Sequence, residues 1–271
     1  MKVALVGQGY LGTAYSKVYT DAVLYDPYKL GEASASQEDV NQCDIAIVAV
    51  PTDPTPDGSL DMSIVEEVVD WIETPLILIK SALMPGTVAR LVEKTGKNIA
   101  VSVEYIGMGN YYLDPSHYPD PLDPQKHKLL VIGGELRAAE AAASFLWAKM
   151  SPETRIHLVS AKEAEITKLI ENFYGAYKVT FANCLYNLAR NSGVSPIRVH
   201  QAWSEDGRVD PMHTRVVPHK RGWKSHCYDK DVQALAAYAK AVGSDDMKKL
   251  VEVIVELNKG HVDENKTHSL V

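Results

Sequence analysis

Several features that mark particular classes of protein are missing from this 271-residue sequence. No apolar run approaches the ~18 residues that a membrane-spanning helix needs, and the Met1–Gly7 segment is too short for the apolar region of a secretion signal. Cysteine is scarce, because Cys43, Cys184 and Cys227 form neither a C-x-x-C pair nor a disulfide framework. We therefore expect a cytoplasmic protein of a reducing compartment, without membrane contact.

Positive charge is also in short supply. The chain has 28 Lys and Arg residues against 35 Asp and Glu residues, so its net charge is −7. This balance disfavours nucleic acid binding as the main function. The remaining composition, 46% hydrophobic and 23% charged, is that of an ordinary globular protein that is long enough for two domains.

The order of apolar and helical segments predicts an α/β fold with two domains. Over residues 1–160, short apolar runs alternate with helical patterns, which is typical of a Rossmann doubly wound parallel sheet. Residues 161–258 have a helical period, beginning with a long helix that Ser160 and Glu163 cap. We predict an N-terminal Rossmann domain, an all-helical second domain and a flexible polar tail over 259–271.

Two segments have no regular period. Residues 107–127 contain four prolines and three tyrosines, which predicts a long aromatic loop. Residues 208–230 carry six Lys and Arg residues against two acids, and this local excess of positive charge suggests an anion site.

A glycine-rich motif follows the first predicted strand and opens the first predicted helix. It has the form G-x-G-x-x-G, and its residues are Gly7, Gln8, Gly9, Tyr10, Leu11 and Gly12. In dinucleotide-binding proteins these glycines permit a tight turn, admit a pyrophosphate to the helix N-terminus and let the helix pack on the strand. Asp26 ends the second strand, where a carboxylate accepts ribose hydroxyls and repels a 2′-phosphate. We therefore predict binding of NAD rather than NADP.

Loops after later strands are expected to contact the same cofactor. Val50, Pro51 and Thr52 follow the third strand, and Ser81 follows the fourth. In open α/β sheets, ligands bind at the carboxyl ends of the strands.

Together, several motifs resemble those of the UDP-glucose/GDP-mannose dehydrogenase family. They are the V-P-T turn at Val50–Thr52, the segment Val103-Glu104-Tyr105-Ile106, the pair Lys168 and Asn172, and the run Cys227-Tyr228-Asp229-Lys230-Asp231. The resemblance extends to about residue 245. It implies a UDP-glucose 6-dehydrogenase-like oxidoreductase of polysaccharide biosynthesis, which uses NAD to oxidise a nucleotide-sugar alcohol to the uronic acid.

The resemblance also implies roles for single residues. Cys227 is the expected nucleophile, which forms a thiohemiacetal and then a thioester. Lys168 and Asn172 share one helix face and are expected to stabilise the oxyanion. Asp231 helps to position Lys168 or water, or alternatively caps a helix that begins there. Glu104 is the expected acid/base or water-holding residue.

Four more residues complete the predicted site. Lys230 is expected at the cofactor, and Arg208, Lys224 and Tyr105 are expected at the substrate. Arg208 resembles the arginine that dimers of the family donate across their interface, and the long helix is apolar over more than one face, so we expect a homodimer. The His and Cys spacing fits no metal site, and no metal is expected.

The sequence departs from the family pattern at several positions. Ala82 replaces a threonine that holds water, Met108 replaces a second acid, and Lys224 and Ser225 replace two glycines before Cys227. The family's third domain, which clamps the nucleotide, has no counterpart after the helical domain. Two other interpretations stay open: a β-hydroxyacid dehydrogenase, in which the cysteine is dispensable, and a non-catalytic NAD-binding protein.

Overall fold

The computed structural model of the chain describes residues 1–106 and 123–268, and side chains up to residue 263. Most of the predicted 107–127 loop, with Met108, lies outside the described residues. The chain divides into two compact units. The first comprises Met1–Thr55 and Leu60–Lys168, and the second comprises Pro56–Ser59 and Leu169–Val271.

The first unit contains a seven-stranded sheet among its described residues. The strands are β1 (Val3–Val6), β2 (Val23–Tyr25), β3 (Ile45–Val48), β4 (Leu76–Ile79), β5 (Ile99–Ser102), β6 (Leu129–Gly134) and β7 (Arg155–Val159). The helices are α1 (Tyr10–Val18), α2 (Pro27–Leu30), α3 (Gln37–Asn41), α4 (Ser63–Trp71), α5 (Thr87–Thr95) and α6 (Leu136–Trp147), with two short 3₁₀ turns at Gly31–Ala33 and Pro124–Lys126.

The strand order of the sheet is β2-β1-β3-β4-β5-β6-β7. Since β1 lies between β2 and β3, the order reverses there, and such a reversal is where doubly wound folds bind ligands. The predicted Rossmann class is confirmed. One pairing differs from the predicted parallel sheet, because β6 runs antiparallel to β5; an antiparallel pair needs no crossover helix between its strands.

Apolar runs explain why the central strands form. Every residue of β1, β3, β4 and β5 is buried, as expected for strands covered on both faces. Tyr15 of α1 and Tyr19, which directly follows that helix, stack in a row with Phe145 of α6 in the core. This packing holds α1 against the sheet and thereby sets the direction in which its N-terminus points.

The helical part of the chain contains four helices in the described residues: α7 (Ala161–Asn191), α8 (Pro196–Ser204), α9 (His226–Ala241) and α10 (Asp245–His268). The predicted capping box of α7 is present, because the Glu163 carboxylate accepts the Ser160 amide at 2.7 Å and the Ser160 hydroxyl accepts the Glu163 amide at 3.3 Å. None of the helices that the structure describes combines the length and apolar character needed to cross a bilayer.

Two predicted boundaries in the second unit are wrong. Helix α9 begins at His226 rather than near Asp231, because the Ser225 hydroxyl caps it by accepting the Tyr228 amide at 3.1 Å. Asp231 therefore does not cap this helix. The predicted tail is helical through His268, since α10 continues past residue 258 and buries His261.

Candidate active site

A tight glycine turn joins β1 to α1. Gly7 has a φ of +92°, and a Cβ atom there would lie 2.7 Å from the carbonyl oxygen of Ala49. A Cβ atom on Gly12 would lie 1.9 Å from the carbonyl oxygen of Gly7, so only glycine allows the helix to pack this closely. Gly9 has a φ of −68° and open space around its Cβ position. The turn thus leaves room at Gly9, where a pyrophosphate would approach.

The N-terminus of α1 suits an anion. Gly9 precedes the helix as its N-cap residue and, being glycine, has no side chain with which to cap the first turn. Gln8 is buried and donates to the carbonyl of Leu5 at 3.4 Å, whereas Tyr10 is 45% exposed. Amides and the positive end of the helix dipole at such a terminus attract phosphate groups.

Asp26 lies beside this turn, directly after β2. One oxygen of its carboxylate accepts the backbone amide of Gln8 at 2.7 Å, and the other accepts the amides of Tyr28 and Lys29 at 3.2 and 3.0 Å. A carboxylate has about four acceptor sites, so these three bonds leave capacity for a ribose hydroxyl. The arrangement fits the predicted role of Asp26 toward NAD.

The loops after β3 and β4 lie at the same edge of the sheet. The Ser81 hydroxyl donates to the carbonyl of Val50 at 2.7 Å, and Thr52 is buried while Pro51 is exposed. The Cβ position of Gly7 lies 3.0 Å from the amide nitrogen of Val50. The residues predicted to hold the cofactor in the first unit are therefore gathered at the β1–β3 switch point, and they fit a dinucleotide.

Glu104 lies just after β5 in a buried polar cluster. Its Oε2 accepts the Tyr15 hydroxyl at 2.7 Å and pairs with Lys80 Nζ at 3.1 Å, and its Oε1 accepts the amides of Tyr105 and Ile106 at 2.7 and 2.9 Å. Its side chain is only 5% exposed. The carboxylate is therefore surrounded by donors from its own unit.

The surroundings of Glu104 favour the ionised form of its carboxylate. Burial alone would raise the pKa of Glu104, but Lys80, then His127 and the Tyr15 hydroxyl, lower that pKa to about 2. Burial lowers the pKa of Lys80, and the nearby Lys168 ammonium adds to this effect, while Glu104 opposes both. At neutral pH Glu104 is a fixed negative charge, which does not favour its predicted acid/base role, because that role needs a pKa near the working pH.

Lys168, from the first turns of α7, contacts the same segment. Its Nζ donates to the main-chain carbonyl of Glu104 at 2.7 Å. A small pocket adjoins it, lined among others by Lys80, Ser81, Ala82 and Glu165. Tyr105, predicted at the substrate, directly follows Glu104 in the chain and is half-buried.

Glu165 has a structural task in this unit. Its carboxylate accepts the amides of Gly86 and Val88 at 2.5 and 2.8 Å. Gly86 precedes α5 in the left-handed region and has no side chain to cap the helix. Glu165 therefore caps α5 from another helix.

In the second unit, Asp231 is shared by two predicted site residues. Its Oδ2 accepts the Asn172 side-chain amide at 2.5 Å, and its Oδ1 pairs with Lys230 Nζ at 2.8 Å. Both Lys230 and Asp231 are buried. Asp231 thus sets the orientation of the Asn172 amide, and Lys230 supplies its counter-charge.

Cys227 lies in the first turn of α9 and is half-buried. Helix N-termini and neighbouring cations favour a thiolate. Exposed Lys224 and His226 flank it in sequence, and Tyr228 packs on α7, where a Cβ atom on Gly175 would lie 2.3 Å from the Tyr228 hydroxyl. Glycine at 175 is therefore needed for α9 to lie this close to α7.

Two cations of the basic 208–230 segment lie in different surroundings. Arg208 is exposed and forms a two-pronged pair with Asp206. Arg221 is buried, where it donates to Asn183 and Asn187. These two cations already have partners in their own unit.

The structure brings the predicted residues together in two groups. Glu104, Lys168, Ser81 and the glycine turn belong to the first unit, and Asn172, Cys227, Lys230 and Asp231 belong to the second. Sequence reasoning missed Tyr15 and Lys80 as partners of Glu104, although a lysine directly after the apolar strand LILI was a signal. Among the described residues, no group of His, Cys, Asp and Glu is arranged to hold a metal.

The sheet order and the glycine turn define a Rossmann-type fold. Residues 162–260 match the family model described as the UDP-glucose/GDP-mannose dehydrogenase family, central domain. The family resemblance predicted from the motifs is thereby confirmed, and the chain is related to these dehydrogenases through its central domain.

Individual proteins show the same relationship over more of the chain. UDP-glucose 6-dehydrogenase AglM of Haloferax volcanii is 22% identical over 96% of this chain and 70% of its own length. A UDP-glucose dehydrogenase structure from Pyrobaculum islandicum matches with a TM-score of 0.77 at 23% identity, covering 95% of this chain and 68% of that one. A UDP-D-ManNAc dehydrogenase structure from Pyrococcus horikoshii has a TM-score of 0.75 at 22% identity. The match covers 96% of this chain and 68% of that one. At these identities the two structures establish the fold alone.

The chain is shorter than the proteins it matches. It spans 62% and 50% of the length of two further curated relatives.

Proposed function

We propose that this chain is a dehydrogenase that oxidises the primary alcohol of a nucleotide sugar to the carboxylate with NAD. The observation that carries the proposal is the position of the family match, since residues 162–260 include Lys168, Asn172, Cys227 and Asp231. These are the residues that the family resemblance assigns to the chemistry. The Rossmann unit supplies a place for the cofactor.

The residues of the first unit support NAD as that cofactor. Two NAD molecules, bound one after the other, would each accept one of the two hydrides that the oxidation releases. The α1 N-terminus at Gly9 would hold the pyrophosphate, Asp26 would accept the ribose hydroxyls, and the loops at Val50–Thr52 and Ser81 would line the nicotinamide side. Lys230 is proposed to contribute from α9, although its ammonium is already paired with Asp231.

Cys227 is proposed to carry the covalent chemistry. The sugar alcohol first loses a hydride and a proton to become an aldehyde, and the Cys227 thiolate adds to the aldehyde carbon. Loss of a second hydride from this thiohemiacetal leaves a thioester. Water then cleaves the thioester, which releases the carboxylate and restores the thiol.

Lys168 and Asn172 are proposed to stabilise the oxyanion of these intermediates, as an ammonium and an amide donor can. The contact of Asn172 with Asp231 supports this role, because it fixes which way the amide points. Tyr105, Lys224 and Arg208 are proposed to bind the substrate. Lys224 and Arg208 are exposed cations, which suits contact with a diphosphate.

We further propose a homodimer. Helix α7 exposes large apolar side chains, namely Ile170, Tyr174, Phe181 and Leu188. Such a face on a helix usually packs against a partner. Light scattering coupled to gel filtration should give twice the mass of the 29.8 kDa chain. A Phe181→Lys variant should lower the measured mass toward that of the monomer. Wild-type protein that is monomeric at micromolar concentration would contradict the proposal.

The deciding experiment for the activity is a substrate screen. UDP-glucose, UDP-N-acetylmannosamine and GDP-mannose are offered with NAD or NADP, and NADH and sugar product are both counted. We expect two NADH per sugar oxidised, and a strong preference for NAD because Asp26 repels a 2′-phosphate. One NADH per substrate would favour a β-hydroxyacid-type oxidation, and tight NAD binding without turnover of any sugar would favour the non-catalytic interpretation.

A further inference from the structure

Most of the hydrogen-bond acceptor sites of the Glu104 carboxylate are already used by other groups of the protein. Tyr15 and Lys80 contact one oxygen, and the amides of Tyr105 and Ile106 contact the other. Four donors match the roughly four acceptor sites of a carboxylate. Its side chain is also almost completely buried. These contacts favour a fixed structural charge over a group that exchanges protons with water or sugar.

The same contacts fix the backbone that holds Lys168. By accepting the amides of the next two residues, the Glu104 side chain closes a turn at the end of β5. The main-chain carbonyl of Glu104 lies in this turn and accepts the Lys168 ammonium at 2.7 Å. The direction of the carbonyl, and with it the position of the ammonium, therefore depends on the carboxylate.

Lys80 and Tyr15 in turn hold the carboxylate. Both side chains are buried, at 3% and 2% exposure, and Lys80 also lines the small pocket beside Lys168. Lys80 also donates to the Ser102 hydroxyl at 3.0 Å, which ties the end of β4 to β5. Its ammonium lies 5.1 Å from the centre of the Tyr15 ring. With His127, whose Nδ1 lies 3.9 Å from Oε1 of Glu104, these side chains form a buried cluster of charges and hydrogen bonds.

We infer that Lys80 and Tyr15 are positioning residues for Lys168, which act through Glu104, and that Glu104 serves through its backbone carbonyl rather than as an acid or base. This inference rests on the proposed function and names residues that the family resemblance did not supply. It has a specific consequence. Within this cluster the main task of the Glu104 charge is to pair with Lys80, so removing both charges together should restore most of the activity that removing one of them destroys.

The test is a charge-pair cycle made of Glu104→Gln, Lys80→Met and the double variant. Each single change leaves a buried charge without its partner and should displace Lys168, so kcat should fall by roughly 100-fold with little change in KM. The double variant should regain at least about tenfold over Glu104→Gln. Tyr15→Phe is the milder variant, which should fold and lower kcat by roughly tenfold, the size of one lost hydrogen bond.

The matched control is an exposed ion pair of the same unit, Lys94 with Asp70, whose atoms lie 2.8 Å apart. Lys94→Met, Asp70→Asn and their double variant should leave kcat unchanged. A double variant of Lys80 and Glu104 that folds, binds NAD and is as inactive as Glu104→Gln would overturn the inference, because it would show that the carboxylate itself reacts.

A second measurement does not depend on turnover. In protein labelled with ¹⁵N-lysine, the Lys168 ammonium resonance, assigned with Lys168→Met, should shift and exchange faster in each single variant and in Tyr15→Phe. It should return toward the wild-type position in the double variant. An unmoved Lys168 resonance in the single variants would overturn the inference. Wild-type protein that oxidises no sugar would refute the proposed function, while the resonance would still decide the positioning role.

Discussion

Cys227→Ser should lower the turnover number at least about 1000-fold while leaving the affinity for NAD unchanged. A serine hydroxyl is far less acidic than a thiol, so it adds poorly to an aldehyde and gives an ester rather than a thioester. Cys227 lies in the first turn of α9, away from the glycine turn in sequence and in the other compact unit. Steady-state oxidation of the substrate found in the screen and NAD titration measure the two quantities.

Cys184→Ser is the matched control for this substitution. Cys184 is half-buried like Cys227, but it lies in the middle of α7 with its sulfur 3.6 Å from His261 Nε2. Its replacement should leave turnover within about twofold, since it makes no proposed contact with reactants. If Cys227→Ser kept wild-type turnover, the covalent mechanism would be excluded, and a direct β-hydroxyacid-type oxidation would explain the activity better.

Gly12→Ala should lower the free energy of unfolding by at least about 3 kcal/mol and abolish NAD binding. The added Cβ would lie 1.9 Å from the carbonyl oxygen of Gly7, a backbone atom that cannot move aside as a flexible side chain can. Helix α1 would have to lift from β1, and its N-terminus would leave the switch point. Thermal unfolding and NAD titration report the two effects.

Gly9→Ala separates cofactor binding from folding at the same turn. Its backbone is compatible with alanine and its Cβ position is open, so the melting temperature should stay within about 2 °C. The methyl group would occupy the space that a pyrophosphate needs, and NAD binding should weaken about 10- to 100-fold, as for one or two lost charge-assisted hydrogen bonds. Unchanged NAD affinity in this variant would place the cofactor elsewhere.

The surroundings of Glu104 also bear on the last chemical step. Cleavage of a thioester needs a group that activates water, and a carboxylate with a pKa near 2 is a weak base for that purpose. Ala82, which has no hydroxyl, lines the adjoining pocket together with Lys168. In the proposed mechanism, water would therefore have to be brought to the thioester by other groups, such as Lys168.

Local patterns explain which parts of the fold were predictable. The apolar runs of β3 and β4, the glycine turn after β1 and the capping box at Ser160 and Glu163 each depend on residues that are neighbours in sequence. The start of α9 was missed because cysteine, tyrosine and aspartate are poor helix formers. The Ser225 cap and the packing of Tyr228 at Gly175 stabilise the helical conformation of that turn.

The extent of α10 shows the same limit. Its last turns are polar and were predicted to be a loose tail, yet Asn258 exchanges two hydrogen bonds with the backbone of Trp223 and His261 is buried near Cys184. Contacts with residues far away in sequence stabilise this part of the helix. A periodicity argument does not include them.

By itself, the sequence determined the Rossmann order, the dinucleotide turn and the identity of the residues that carry reactive groups, because apolar period, glycine spacing and chemical type are all local properties. Tertiary structure alone decided what those groups do. Glu104 meets Tyr15 across 89 positions and Lys168 across 64. The protonation and direction of a buried side chain depend on the donors and charges that folding places around it, and its neighbours in sequence do not reveal them.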